Sequence, residues 1–496
     1  MLSGRHAVTV DGFTCRCISD TLDGLRDGLS LFSGPSRAAV IYAIAPEDPL
    51  HICDPQNLLR GHEPRFKELY LDSEKWRRDF PIGSDKSRFS YIIAEKNLQL
   101  AGLISWGGRS GSVFYQMWFT DHLPDMCSIG PTERWLEHAA WRFSHDIANE
   151  KELYTGISGS FLREFASHAV HDYIVDRMNV ILGWDSQLRI YPILDAVLAI
   201  SRTREEQMMP RGALVFVERN LLGGIDYLAQ FPEMEQPLLD NFKHVRKLLQ
   251  AVEDSDRKLV SDGKNIVGIT TGDSMPPFFI TADFRGNFGF LRLNTEDVCS
   301  FSGGSFKSTT RKAKLVHVEE ALLESQLDPQ VGHDLFKIAS DLVHAAEESK
   351  SGCTLVLDLN ADPVFISGQK LADPLDLRRP HLLELARSLS RVDGALHIRQ
   401  DLCLHGFACL LDGRAIPGED RARGARFNSA LRFTAQRPHL LVVVVSVDRP
   451  VAVIQEGVEI SAQCQWTPVT SCLFRPLTLE AWIDGEKSGI LAPGAA

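Results

Sequence analysis

Runs of branched apolar residues closed by a polar turn recur along the chain. RAAVIYAIAPEDPLHICDP (37–55), RGALVFVERN (211–220) and SGCTLVLDLNADPVFISG (351–368) each predict a buried strand. Between such runs the spacing turns helical. From Gly332 to Glu348, Leu335, Ile338, Ala339, Leu342 and Ala346 share one face, an amphipathic helix leading into a strand near Cys353. Residues 131–147 predict another helix, with Pro131 suited to its first turn. After Pro438, the unbroken apolar run Leu440 to Val445 predicts a strand buried on both sheet faces. A turn at Asp448-Arg449-Pro450 and a second strand follow it. Helices packed on mixed β-sheets, an α/β fold, are the architecture that such an alternation builds.

About 40 to 50 residues beyond each strand start lies a helix-then-hairpin pattern. These hairpins read FSYIIAEKNLQLAGLISWGG (89–108), DRKLVSDGKNIVGITTG (256–272) and DGALHIRQDLCLHGFACLLDG (393–413). Each holds a glycine in its second strand: Gly102, Gly268 and Gly406. Duplication of one unit and chance recurrence both produce such a rhythm. Under duplication, Ser255-Asp256-Arg257 of the second unit stands where the third has Asp393-Gly394-Ala395, and only the third keeps that triplet. The rhythm divides the chain into an N-terminal α/β region (1–190), a second α/β unit (191–315), a third (316–470) and a tail (471–496).

Composition narrows the picture a little. At 496 residues the chain exceeds one ordinary domain. A net charge of −12 argues against chain-wide attraction to nucleic acid or acidic lipid, and no apolar run approaches the length of a membrane span. MLSGRHAVTVDGF lacks the apolar core of a signal peptide. The 10 cysteines form no CxxC pair, and neither Cys15 with Cys17 nor Cys464 with Cys472 has metal-finger spacing. The expectation is a reduced, cytoplasmic protein whose cysteines pack as small apolar groups.

Candidate chemistry gathers between residues 393 and 434. Asp393 falls where a helix ends and a strand begins, a rim position, with Gly394 and Ala395 too small to obstruct a ligand. A carboxylate beside such a turn suits a Mg²⁺ or Mn²⁺ that also holds phosphate oxygens. RGARFNSALRFT predicts a helix start whose amides, reached past Gly424, form an anion site, with Arg426 adding a bidentate contact. Arg414, Arg421 and Arg423 cluster nearby. Helical phase puts Phe427, Ala430, Leu431 and Thr434 on the packing face, and Asn428, Ser429 and Arg432 opposite it.

Residues of about 320–465 resemble the diadenylate cyclase (DAC) domain, the nucleotidyl-transfer domain of cyclic di-AMP synthases of the DisA and membrane-bound kinds. The shared features are SGCTLVLDL, Asp393-Gly394-Ala395, Gly424-Ala425-Arg426-Phe427-Asn428-Ser429-Ala430 and VVVVSVDRPVAVIQEG. The resemblance implies a mixed sheet flanked by helices that binds one ATP, with two such domains face to face in a homo-oligomer. Each ATP 3′-hydroxyl then attacks the other's α-phosphate, closing cyclic di-AMP and releasing pyrophosphate. It implies that Asp393, with Gly394 and Ala395, is catalytic and holds Mg²⁺ or Mn²⁺. It implies that Leu396, Gly424, Ala425, Arg426, Asn428 and Ser429 bind the nucleotide. The family's Arg-His-Arg reads Arg426-Phe427-Asn428 here, which weakens catalysis more than binding. The front of the chain shows no complete catalytic set and is expected to be a sensor or regulatory region.

Other motifs fall short. SGGSFKSTT (302–310) has Phe306 where a phosphate loop needs glycine, and GISGS (156–160) ends in Ser160 where a nucleophile elbow needs glycine. His168, His171 and Asp172 form a polar cluster without an evident metal partner set.

Overall fold

The computed structural model describes residues 12–485, apart from 44–47, 74, 78–99, 111–112, 123–124, 149–154, 205–208, 254–255, 311–314, 417–418, 420, 447–448 and 461–476. The described residues form two compact units, one built from Pro35–Asp125 with Arg311–Ala496, the other from Asp11–Gly34 with Met126–Thr310. The α/β expectation holds in both.

The first unit carries two sheets. Strands β1 (Ala38–Ala43), β2 (His51–Cys53), β3 (Leu103–Ser110), β4 (Val113–Thr120) and β20 (Leu477–Thr478) run in the order β20-β2-β1-β4-β3. All their pairings are antiparallel. Helix α2 (Glu63–Phe66) sets Phe66 edge-on to Trp118 and to Trp482 of α12 (Leu479–Ile483). Residues 477–483, inside the segment expected as a tail, therefore pack on this first sheet. Gly102 is not inside a strand. It sits at φ +74° in the turn before β3. FSYIIAEKN (89–97) lies outside the described residues.

The second sheet of this unit has seven strands. They are β13 (Cys353–Asp358), β14 (Ser367–Asp376), β15 (Ala395–Arg399), β16 (Cys403–Leu410), β17 (Leu440–Val445), β18 (Ala452–Gln455) and β19 (Val458–Glu459), in the order β14-β16-β15-β13-β17-β18-β19. β13 and β15 run parallel, and the other pairs are antiparallel. Alternation splits the strands between two cores. Leu355, Leu357, Leu396, Ile398, Leu441 and Val443 pack with α8 (Val316–Glu324), α9 (Pro329–Glu348) and α10 (Pro380–Leu389). Val356, Ala395, Val442 and Val444 pack under α11 (Ala425–Thr434) through Ala430 and Phe433. Every residue of β17 is buried, as a strand covered on both faces requires. The Asp328 side chain caps α9 by accepting from the Gln330 and Val331 amides, with Pro329 at the first helical position.

Buried charge ties the first sheet to α8 and α9. Arg37 donates to Glu320 at 2.6 Å and to Glu324 at 3.0 Å. His344 meets Asp125 at 3.0 Å, and Asp125 also accepts from the Leu315 amide at 2.8 Å. His122 bonds Glu319, with both side chains buried. Burial alone would push the His122 imidazole down, but the Glu319 carboxylate, with Asp121 and Glu320 beyond it, holds it above its ordinary range.

The second unit joins helices α1 (Gly12–Phe32), α3 (Gly130–Ala148), α4 (Ser158–Arg163), α5 (Ala166–Leu182), α6 (Ile190–Arg202) and α7 (Phe242–Leu249) to an eight-stranded sheet. Its strands are β5 (Arg211–Phe216), β6 (Tyr227–Gln230), β7 (Lys258–Ser261), β8 (Ile266–Thr270), β9 (Ile280–Arg285), β10 (Phe288–Leu293), β11 (Glu296–Ser302) and β12 (Ser305–Lys307). SGGSFKSTT forms the tight β11–β12 hairpin, turning at Gly303 and Gly304. No helix among the described residues is long and apolar enough to cross a membrane.

Candidate nucleotide-binding site

The chain leaves α10 at Leu389 and enters β15 through Arg391-Val392-Asp393-Gly394. Gly394 sits at φ +112°, and a Cβ there would lie 2.5 Å from the Ala408 carbonyl carbon. Both the dihedral and the close approach to β16 exclude a side chain. The turn therefore throws Asp393 outward, with its side chain 98% exposed. Ala395 follows as the first strand residue, its methyl buried under α11.

Gly424, at φ +92°, is the N-cap of α11, and no side chain caps the helix there. The Asn428 amide bonds back to the Gly424 carbonyl at 3.2 Å, which leaves the amides of Ala425, Arg426 and Phe427 in the first, outward-facing turn. Positive helix-end charge and donor groups coincide at that point.

Asp393 and Arg426, 33 residues apart, meet at the rim: Arg426 Nη2 donates to Asp393 Oδ1 at 3.2 Å. Gly352, just before β13, makes room for the guanidinium, since a Cβ built there would stand 1.9 Å from Arg426 Nη1. One carboxylate, one guanidinium, one helix start and a floor of small residues thus share one edge of the sheet. An exposed pair of this kind is worth about 0–1 kcal/mol, so a ligand that separates the two charges meets little resistance. Cys353 lies below, but burial pushes its thiol up to about 12, which leaves it protonated and inert.

One expected site residue, Asn428, sits differently from its sequence reading, and the surroundings of Leu396 and Arg423 bear on what each can offer a ligand. Asn428 is on the packed side of α11, only 6% exposed, so it does not stand opposite the packing face. Leu396 points its side chain into the α9–α10 core, so only its main chain remains for a ligand. Arg423 is already engaged: it holds Glu459 at 2.8 Å and lies 4.0 Å over the Phe427 ring. Ser429 is half-buried on α11, and the side chain of Arg421 lies outside the described residues.

Among the described residues no group of three or more His, Cys, Asp and Glu side chains could hold a metal ion. A single exposed carboxylate does fit Mg²⁺ or Mn²⁺, which keep water and substrate oxygens and need few protein ligands.

The opposite end of the same strands holds a polar cluster that the sequence reading missed. Asp358, fully buried, accepts from the Val364 amide at 3.0 Å and the Asn360 side chain at 2.9 Å, and meets His397 at 3.2 Å. Burial works to raise its pKa, but the His397 ring and the Val364 and Asn360 donors hold it down at about 2. The cluster pins the loop after β13. In the second unit, His138 and His171 bond Asp172 at 3.1 and 2.8 Å, and His168 bonds the Tyr191 hydroxyl at 2.6 Å.

Residues 341–459 match the family "DisA bacterial checkpoint controller nucleotide-binding" (DAC). Residues 12–184 match "Probable sensor domain DACND", and residues 191–299 match "Probable sensor domain DACNH". No curated protein matches the chain. Among solved structures, a hypothetical membrane spanning protein from Bacillus cereus is 20% identical, over 29% of this chain and 70% of that one, with a TM-score of 0.24. A double mutant of DacA from Staphylococcus aureus is 14% identical, over 30% of this chain and 93% of that one, with a TM-score of 0.20. The C-terminal third of the chain thus carries a DAC domain of the DisA nucleotide-binding family, preceded by matches to two sensor domains.

Proposed function

We propose that the protein is a diadenylate cyclase, condensing two ATP into cyclic di-AMP with release of pyrophosphate, under the control of its N-terminal sensor domains. The observation that carries this reading is the meeting of Asp393 and Arg426 at 3.2 Å beside the start of α11. In it, Asp393 would hold a Mg²⁺ or Mn²⁺, which when bound would supply charge neutralisation at the phosphates and lower the pKa of the 3′-hydroxyl. Arg426 and the first-turn amides of α11 grip the triphosphate and orient the pyrophosphate leaving group. Gly352, Gly394 and Ala395 let the nucleotide approach the backbone. Because Asp393 and Arg426 lie on an open rim, one domain covers only one side of the reacting pair. A second copy of the chain, facing the first, brings the other ATP. ATP as substrate and reduced cysteines both suit a cytoplasmic protein.

Asn428 favours a second reading. Where the family has its second arginine, this chain has a buried amide, so one charged phosphate contact is missing. Such a contact is worth roughly 1.5–3 kcal/mol, and its loss suits a nucleotide-binding sensor with little turnover. Product analysis separates the two. Oligomeric wild-type protein incubated with ATP and Mn²⁺ or Mg²⁺ is expected to yield cyclic di-AMP, and Asp393→Asn is expected to yield none. Tight ATP binding with no pyrophosphate release would favour the sensor.

A further inference from the structure

Six strands of the second unit's eight-stranded sheet repeat the order of six of the seven strands of the DAC sheet. In chain order β5, β6, α7, β7, β8, β9 and β10 match β13, β14, α10, β15, β16, β17 and β18, and both sheets read the same way across: β6-β8-β7-β5-β9-β10 and β14-β16-β15-β13-β17-β18. Each has one parallel pair, β5 with β7 and β13 with β15, set among antiparallel ones. Two chains of strands drawn at random share neither the order nor the place of the parallel pair.

Register agrees around one glycine of each sheet, although β15–β16 carries a second slip, between Ala395 and His397, that β7–β8 lacks. Gly268 pairs with Val260 and Gln230, just as Gly406 pairs with His397 and Lys370. The ladder slips by one residue immediately afterwards in both, between Val260 and Ser261 and between His397 and Ile398. A Cβ on Gly268 would meet the Ala229 carbonyl oxygen at 2.4 Å, and one on Gly406 the Gln369 oxygen at 3.0 Å, the same backbone atom of the same neighbouring strand. Faces agree as well. Val215 and Val260 are covered by Met275 and Phe279, where Val356 and its face are covered by α11.

This register sets Asp256-Arg257-Lys258 opposite Asp393-Gly394-Ala395, one residue on from the Ser255-Asp256-Arg257 that the sequence rhythm suggests. It sets Arg211 opposite Gly352. Three positions left small in the DAC domain are therefore long basic side chains here. The phosphate helix is also gone: β8 ends at Thr270 and β9 begins at Ile280, with no helix between them.

We infer that the second unit's sheet domain is a further copy of the cyclase fold that has lost its nucleotide site, with Arg211, Arg257 and Lys258 standing where the DAC domain keeps Gly352, Gly394 and Ala395, and with no phosphate helix. Among the described residues there are then two cyclase-type sheets, and only the DAC sheet keeps the nucleotide site, so the domain matched as a sensor is an emptied cyclase. The inference stands on topology and register and does not need the cyclase activity.

The test is photolabelling of the full chain with 8-azido-ATP and Mg²⁺, with excess ATP as competitor and peptide mapping of the adducts. Competable label confined to peptides from 341–459 is expected, unchanged by Asp256→Asn and reduced about tenfold by Arg426→Ala. Competable label on peptides from 211–302, or a loss of label in Asp256→Asn, would overturn the inference. No competable label anywhere would remove the proposed function, yet it would leave the second domain empty as inferred.

Discussion

Gly352→Ala isolates the Arg426 grip without touching either charged residue. The new Cβ would stand 1.9 Å from Arg426 Nη1, whereas ordinary contact begins at 3.4 Å, so the guanidinium must withdraw by about 1.5 Å. N–H···O bonds span only about 2.7–3.2 Å, so a shift of that size breaks a phosphate contact. The lost charged hydrogen bond is worth about 1.5–3 kcal/mol, a fall in ATP affinity of about ten- to a hundredfold. The fold should barely notice. The atom met first is the end of a flexible side chain, and the Asp393–Arg426 pair that is disturbed is exposed, worth at most about 1 kcal/mol. Calorimetric titration of ATP and Mg²⁺ into wild type, Gly352→Ala, Arg426→Ala and the double variant checks this. The double variant is expected to bind no more weakly than Arg426→Ala alone, because both changes remove one contact. Unchanged affinity in Gly352→Ala, or losses that add in the double variant, would refute the placement of Arg426 over Gly352.

Three further outcomes follow from the packing. Asp358→Asn should destabilise the protein by about 2 kcal/mol at neutral pH, the value of a carboxyl held at about 2 against its usual 3.8. A depressed carboxyl stabilises above its unfolded pKa, so in urea melts the gap between wild type and variant should close as pH falls from about 4 to 2; a gap independent of pH would contradict this. Gly268→Ala and Gly406→Ala should each lower stability by about 1–3 kcal/mol, Gly268→Ala more, since its Cβ lies nearer a main-chain oxygen; equal melting temperatures for both variants and wild type would deny the shared bulge. The raised imidazole of His122 stabilises fully below its unfolded pKa and loses that contribution as pH rises through the folded value. The melting temperature of wild type should therefore fall relative to Glu319→Gln as pH rises above the ordinary His value of 6.5, and parallel profiles would count against a charged His122–Glu319 pair.

The strands were legible because branched apolar runs need burial wherever they pair. Leu440–Val445, SGCTLVLDL and RGALVFVERN all became strands of sheets with helical cover. Asp393 and Arg426 could be brought together because a helix–strand junction and a helix start are both rim positions. The phase of α11 was not legible. Asn428 reads as polar, and only the contact of the helix with β17 and β18 shows it turned inward. The Asp358–His397 contact spans 39 residues and leaves no local pattern. The recurring rhythm gave the second and third units their likeness but missed by one residue in β7, because only the paired strands fix the register. In the first unit the described strands β1 to β4 pair antiparallel, and FSYIIAEKN of its hairpin lies outside the described residues. Hydrophobic rhythm marks where strands lie and says little about which neighbours they choose.

Measuring ATP affinity with and without Mg²⁺ in wild type, Asp393→Asn and Arg426→Ala tests the division of labour at the rim most directly. Metal should tighten binding in wild type and in Arg426→Ala but not in Asp393→Asn, while Arg426→Ala weakens binding whether metal is present or not. Metal enhancement that survives Asp393→Asn, or ATP binding indifferent to both substitutions, would contradict a metal-bound triphosphate held between these two side chains.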